Sequence, residues 1–216
     1  MRSLLLLFAI VYSCTLSAQY RHIHLQENFN DTIMPAGWTT NAVTGTAAWS
    51  IGVDGSVTNA GNNNLNGSPM AYFDDDAFGA TQTNNTAQLI TSVFDNSSYP
   101  TTRFSFDYNF RQFNGPLDSF KVEVFDGSAW ATVFSQINND CGNWLGACAG
   151  NFPKASIDIT NYSNANCQVR FTYFDGNDWC WYVGIDNVVI DSEIPLDIGV
   201  VELNSPVTSC ALTSNE

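Results

Sequence analysis

The chain has 216 residues, with 21 acidic against seven basic side chains and a formal net charge of −14. Hydrophobic residues make up 44% and aromatic residues 13%, which is enough for a packed core and excludes a disordered acidic chain. The negative charge argues against nucleic acid and anionic lipid as partners. It leaves open either a purely solubilising role or the binding of a hard cation, which prefers carboxylate ligands.

Residues 1–18 have the features of a secretory signal: one basic residue, a short apolar stretch and small residues at its end. We expect cleavage after Ala18, and the apolar stretch is too short for a comfortable membrane span. A lipoprotein that uses Cys14 is the alternative, although Tyr12 fits such a processing site poorly. The mature protein is therefore expected to be secreted or held at the cell surface.

Alternation with a period of two recurs along the chain, whereas helical periodicity is nearly absent. The stretch RFSFDYNF places Phe104, Phe106, Tyr108 and Phe110 on one face. SFKVEVFD and CQVRFTYF alternate in the same way, with Lys121, Glu123 and Arg170 facing outward. Further strands are predicted at 47–53, 70–74, 87–94, 130–136, 155–160 and 182–190. Many short strands, each with one apolar face, predict an all-β sandwich of two packed sheets.

The pattern of the sequence changes after Glu193. The tail IPLDIGVVELNSPVTSCALTSNE begins as a Pro-containing linker, continues as a new strand and stops without closing a unit. We therefore expect one domain over residues 19–193, followed at 194–216 by the truncated start of a second β-domain. Further domains of the same polypeptide are the expected neighbours.

Cysteine usage agrees with export. CGNWLGAC closes a short loop, so a Cys141–Cys148 disulfide is the most plausible pairing. If the turn at 175–178 joins a regular hairpin, Cys167 lies about 20 Å from Cys180, too far for a bridge. These two cysteines are then free buried thiols or have other partners. Cys210 is left over, and its partner is expected beyond the chain end.

Several stretches together resemble a known family, the MAM-like, cleaved-adhesin group that is also called choice-of-anchor J domains. They are ENFNDTIMPAGW, AYFDDDAFG, AQLITSVFDNSS, LDSFKVEVFDGSAWATVFSQ and the closing DGNDWCWYVGIDNVVI. The resemblance covers roughly residues 25–191 and implies a jelly-roll sandwich in a large exported protein of a Bacteroidetes-type bacterium. It also implies that the tail begins an Ig-like domain. Cys180 departs from the pattern, since the family commonly has a small residue there.

The sequence offers no catalytic constellation. Nucleophilic catalysis needs a base, and the only histidines, His22 and His24, are expected in a mobile, solvated leader. HExxH and GxxxxGK motifs are absent, and zinc is disfavoured because there is no CxxC. Glu123 and Asp107 could be imagined as a glycosidase pair, but outward acids on strands are common. We therefore expect no enzymatic activity.

Six tryptophans raise the possibility of carbohydrate binding, because exposed indoles can stack on sugar faces. Most of them are expected in the core, and Trp144, inside the predicted disulfide loop, is the best exposed candidate. The sequence thus favours a non-catalytic adhesion module for an extracellular protein or carbohydrate. The alternative is an accessory domain of a secreted hydrolase, a peptidase or glycosidase, whose catalytic part lies elsewhere.

Asp186 sits between Ile185 and the apolar run Val188-Val189-Ile190. A carboxylate in such a strand needs a partner, and we hypothesise a structural calcium ion. The first and last strands of such sandwiches tend to lie side by side, and relatives of this kind carry calcium, which favours a shared site. The predicted ligands are Glu27, Asp74, Asp75 and Asp186, with Asp76 adjacent and Asp107 a weaker candidate. The alternative is that Asp186 binds backbone N–H groups at a sheet edge, while Asp74–Asp76 form a solvated turn.

Overall fold

The structure is a computed structural model that describes residues 20–52, 68–81, 84–111, 118–137 and 153–194. Within these ranges the chain forms strands joined by turns, with two one-turn 3-10 helices at Asp76–Phe78 and Thr160–Tyr162. The strands are β1 (Arg21–Glu27), β2 (Thr39–Thr44), β3 (Ser50–Gly52), β4 (Met70–Asp74), β5 (Thr86–Ile90), β6 (Thr102–Arg111), β7 (Ser119–Phe125), β8 (Trp130–Gln136), β9 (Lys154–Asp158), β10 (Gln168–Phe174) and β11 (Tyr182–Glu193).

The strands form two antiparallel sheets. One has the order β3-β4-β11-β6-β9, with β1 also paired to β11, and the other has the order β2-β5-β10-β7-β8. Along one edge of β11, β4 pairs from Tyr182 to Ile185 and β1 pairs from Val188 to Glu193. Strand β6 runs along the other edge. The prediction of an all-β sandwich of two antiparallel sheets is confirmed.

Aromatic side chains from both sheets fill the space between them. Phe104 and Phe106 of β6 meet Phe120 of β7 and Phe171 of β10, and all four are fully buried. The Phe106 and Phe171 rings lie 5.4 Å apart in a T-shaped arrangement, and the Phe120 and Phe171 rings are nearly parallel at 6.3 Å. Each such pair stabilises the fold by about 0.5–1.5 kcal/mol beyond the contribution of the surface that it buries. Because the interior is closed in this way, binding sites must lie at sheet ends, edges and outer faces.

The expectation that His22 and His24 lie in a mobile leader is wrong. Both belong to β1, which pairs with β11 from Arg21 opposite Glu193 onward. The Nε2 atom of His24 lies 2.8 Å from the Ser192 hydroxyl, and the His22 ring stacks on Tyr99 at 5.0 Å. The segment is therefore held by backbone pairing and by ring contacts.

The hairpin considered for the turn at 175–178 does not form. The turn itself is present, since the Asp178 N–H donates to the Asp175 carbonyl at 3.3 Å. Both edges of β10, however, are taken by β5 and β7, so the chain crosses here to β11 in the other sheet. Cys167 and Cys180 are buried free thiols, which decides between the two alternatives left open by the sequence.

Several predictions fall outside the described residues and stay predictions. They are the signal at 1–18, the Cys141–Cys148 disulfide, the exposed Trp144, Cys210 and the second β-domain. In the ranges that the structure describes, no helix combines the length and apolar character needed to cross a membrane.

Candidate functional site

A β-bulge interrupts β11 at Asp186 and Asn187. Asp186 lies opposite Asp107 of β6, and regular pairing resumes only at Val189. Asn187 has a left-handed backbone with φ of 49°, a conformation that asparagine tolerates better than most residues. On the other edge of β11, the pairing with β4 has already ended, and that with β1 starts where Val188 faces Glu27. The bulge therefore sits at the junction of β4, β1 and β6.

Three acidic residues are neighbours at this junction, and we call Glu27, Asp107 and Asp186 the bulge carboxylates. Asp186 accepts hydrogen bonds from the Asn187 N–H at 2.7 Å and from the Ser68 hydroxyl at 2.6 Å. The Asn187 side-chain amide donates to Asp107 at 2.9 Å. These bonds hold two of the three carboxylates in fixed positions.

The bulge carboxylates repel one another. Asp186 is only 2% exposed, and burial raises its pKa, with Asp107 and Glu27 raising it further against the opposing hydrogen bonds. Lys154 faces Asp107 across β9, but the ion pairs within the described ranges form elsewhere, at Arg21 and Arg170. A cation at the bulge would relieve this repulsion.

Carboxylate and hydroxyl oxygens are the ligands that calcium prefers, so the chemistry of this donor set fits a hard cation. Glu27, however, is turned back onto its own chain and accepts N–H bonds from Asn28 at 2.9 Å and Phe29 at 2.7 Å. Among the described residues, no three metal-ligating side chains are already grouped closely enough to enclose an ion. Binding at the bulge would therefore require the Glu27 side chain to turn toward Asp186.

Asp74, Asp75 and Asp76 belong to a different group at the end of β4. Asp74 pairs with Tyr182, which is four residues before Asp186 on β11 and hence about 13 Å away along the strand. These three residues are buried, so the alternative of a solvated turn is wrong. The structure thus gives two acidic groups where the sequence suggested one.

The group at the end of β4 is centred on Asp75. The Asp75 carboxylate accepts the Cys180 N–H at 2.7 Å and the Asn85 amide at 3.4 Å. Burial raises the pKa of Asp75 to about 7, and the neighbouring Asp175 and Asp118 also raise it. The hydroxyl of Tyr173 is buried beside these acids without a hydrogen-bond partner.

A third feature lies on the outer surface of the five-stranded sheet. Arg170 of β10 binds Glu123 of β7 through two hydrogen bonds, of 2.6 and 2.9 Å, and Thr172 donates to the same carboxylate at 3.1 Å. The guanidinium carbon of Arg170 lies 4.3 Å from the centre of the Trp130 ring, which also contacts Phe125. We call these five residues the Trp130 face.

The Trp130 face is preorganised. The side chains of Arg170 and Glu123 are 20% and 15% exposed, and the hydrogen bonds from Arg170 hold the pKa of Glu123 below its usual range. The Arg170 guanidinium thus lies over one face of the Trp130 ring and links it to a fixed acceptor, Glu123, on the sheet surface. The part of the indole ring that Arg170 leaves uncovered can pack against a flat apolar surface of a ligand, while Arg170 and Glu123 hydrogen-bond its polar groups.

The sequence placed Arg170 and Glu123 on outward positions but did not bring them together. Among the described tryptophans, Trp38, Trp49 and Trp181 are buried, as expected for most of the set. Trp130 is only partly buried. The signal that could have found it is the alternation of β8, whose first residue pairs with the outward Phe125.

No protein-family model matches the chain, and no curated protein matches it either. Solved structures do. The K1 cleaved adhesin domain of Lys-gingipain from Porphyromonas gingivalis superposes with a TM-score of 0.58 and 18% identity, over 77% of this chain and 96% of that domain. The chain has the cleaved-adhesin fold.

Two further structures extend the comparison with the cleaved-adhesin fold. The K3 domain of the same Porphyromonas gingivalis protein gives a TM-score of 0.56 at 15% identity, over 80% of this chain and 99% of that one. The carbohydrate-binding module TmCBM61, solved with β-1,4-galactotriose, gives 0.53 at 11% identity, over 80% and 99%. The cleaved-adhesin fold is therefore shared with a sugar-binding module.

Proposed function

We propose that residues 19–193 form a non-catalytic binding module of a larger exported surface protein, and that the module binds a neutral glycan through the Trp130 face. The observation that carries this proposal is the Arg170 guanidinium held between the Trp130 ring and the Glu123 carboxylate. Stacking on the part of the indole that Arg170 leaves uncovered would orient a sugar ring, while Arg170 would donate hydrogen bonds to its hydroxyls and Glu123 would accept them. The sugar-bound TmCBM61 structure supports the fold's suitability for this role.

The charge of the molecule favours a neutral ligand over an acidic one. The chain carries a net charge of −14, and the positive charge of Arg170 is already matched by Glu123. The same pairing argues against glycoside hydrolysis on this face. A general acid needs a raised pKa, whereas the pKa of Glu123 is lowered by Arg170.

The test is retention on immobilised neutral polysaccharides, with β-1,4-galactan as the first probe. Trp130→Ala and Arg170→Gln should each weaken binding by about tenfold or more, as expected for a central aromatic or arginine contact. Lys154→Gln is the matched control, because Lys154 is also a basic residue on a strand but lies in the other sheet. Retention that survives in Trp130→Ala would remove this face from the binding site.

We also propose that the bulge carboxylates bind a structural calcium ion. The support is the convergence of Glu27, Asp107 and Asp186 and the raised pKa that burial imposes on Asp186. When bound, the ion would neutralise the mutual repulsion of these side chains and tie β1 to the middle of β11.

A further inference from the structure

A small polar pocket lies where four strands of the six-stranded sheet end together. Its volume is about 110 Å³, and its walls come from the starts of β1 and β6 and the ends of β9 and β11. The lining residues are Arg21, Thr101, Thr102, Arg103, Asp158 and Glu193. Two of the seven basic residues of a strongly acidic chain therefore line one pocket.

The wall of the pocket contains a hydroxyl without a partner. The side-chain oxygen of Thr101 is buried and makes no hydrogen bond. That oxygen has almost no accessible surface, so the polar groups that a ligand in the pocket can reach are those of the arginines and carboxylates of its wall. The backbone around it is firmly held, since the Thr101 carbonyl accepts the Glu193 N–H at 3.3 Å and the Thr102 N–H donates to the Thr160 hydroxyl at 3.0 Å.

The charges of the pocket are matched in pairs. Arg21 forms a salt bridge with Asp191 and lies 3.8 Å from Glu193. Arg103 lies opposite Asp158 and Asp191 in the strand register, and hydrogen bonds from Thr160 together with the charge of Arg103 lower the pKa of Asp158. A free ion would gain little by entering a pocket in which each guanidinium already faces a carboxylate. A neutral ligand with several hydroxyls can instead accept from the arginines and donate to the carboxylates.

We propose that this pocket binds a single neutral sugar residue, such as the end of a glycan chain. A water molecule needs roughly 10–15 Å³ of such volume, so the pocket has room for several polar groups but is far below the 300–1,000 Å³ of drug-sized sites. The site is separate from the Trp130 face, which lies on the other sheet. The two proposals are therefore independent, and failure of one leaves the other in place.

Backbone amide NMR of the full chain tests the proposal, with the methyl glycosides of galactose, glucose and mannose as probes. At least one should bind in the millimolar range and shift the amide signals of Thr102, Arg103 and Glu193. Inorganic phosphate and sulfate are titrated in parallel. The proposal is overturned if the amide signals of Thr102, Arg103 and Glu193 shift with none of the three sugars, or if they shift with the anions instead.

Two variants locate the contacts. Thr101→Val is the control: it removes a hydroxyl that a ligand cannot reach, at nearly constant shape, so folding and sugar affinity should both be unaffected. Arg103→Gln should weaken binding by about tenfold, because it removes a hydrogen-bond donor from the pocket wall. Sugar binding that is as tight in Arg103→Gln as in the wild type would refute the assignment. The wild-type titration is decisive even if a variant misfolds.

Discussion

Replacing Asp186 by asparagine is the most direct test of the bulge carboxylates. Asparagine has the same shape and removes only the charge. Its carbonyl can accept the Asn187 N–H, and the Ser68 hydroxyl can rotate to accept from the new amide. The variant therefore keeps both hydrogen bonds of Asp186. In the presence of a chelator it should be at least as stable as the wild type, because burial and the neighbouring Asp107 and Glu27 disfavour the charged form.

Calcium should reverse this order. An ion that binds only the folded protein, at a hundredfold excess over its dissociation constant, adds about 2.7 kcal/mol of stability. For a domain of this size each kcal/mol raises Tm by about 2–4 °C, so the wild type should gain about 5–10 °C. Asp186→Asn loses a charged ligand from the middle of the site and should gain no more than about 2 °C.

The assay is thermal unfolding followed by circular dichroism in calcium and in EGTA. Asp126→Asn is the matched control: its carboxylate also accepts backbone N–H bonds, from Ser128 and Ala129, but it is exposed and lies in the turn between β7 and β8. It should show the full calcium shift. An unchanged wild-type Tm would refute the calcium site, and an undiminished shift in Asp186→Asn would remove this residue from it.

Three further substitutions test the buried parts of the sandwich by urea unfolding in EGTA. Folding raises the pKa of Asp75 from 3.8 to about 7, so between these pH values the folded state holds a proton that the unfolded state has released. The free energy of unfolding should therefore fall by about 2 kcal/mol as the pH rises from 5 to 8. Asp75→Asn should lose this pH dependence. A variant whose free energy of unfolding changes with pH in parallel with that of the wild type would contradict the prediction. Gly184→Ala places a Cβ 2.8 Å from the sulfur of the buried Met70 and should destabilise by about 1–2 kcal/mol; no loss would show that Met70 moves freely. Tyr173→Phe removes a buried hydroxyl that has no partner and should be neutral or stabilising by up to about 1 kcal/mol, so a clear loss would reveal an undetected hydrogen bond.

The strands whose buried faces the sequence predicted best are β7 and β10, in which buried and more exposed residues alternate. The predictions at 70–74 and 130–136 coincide with β4 and β8, and that at 155–160 is shifted by one or two residues from β9. Strand β2 was not predicted, because all six of its side chains are exposed and its sequence does not alternate between apolar and polar residues. It forms at the sheet edge through its backbone pairing with β5, and a composition of small polar residues carries no signal of that pairing.

The residues of the candidate site also fall into those that the sequence predicted and those that it did not. An acid inside an apolar run identified Asp186, and Glu27 was placed beside it from the neighbouring positions of the first and last strands. Long-range register could not be read from the sequence, so Asp74 and Asp75 were assigned to the same site although β4 ends four residues short of Asp186 on β11. The Arg170–Glu123 contact was missed for the same reason, since it depends on how β10 aligns with β7.

The pairing of β1 with β11 determines how the domain would respond to mechanical tension. The chain enters at Arg21 directly opposite its exit at Glu193, where the Ile194 N–H also bonds to the Tyr20 carbonyl at 3.1 Å. Pulling the two ends apart would load these hydrogen bonds along their own axis and one after another, so β1 would peel away like a zipper. Glu27, opposite Val188, is the last pair in that row. A calcium ion held by the bulge carboxylates would hold the far end of this strand pair together, so the force that the domain withstands would depend on the calcium of its surroundings.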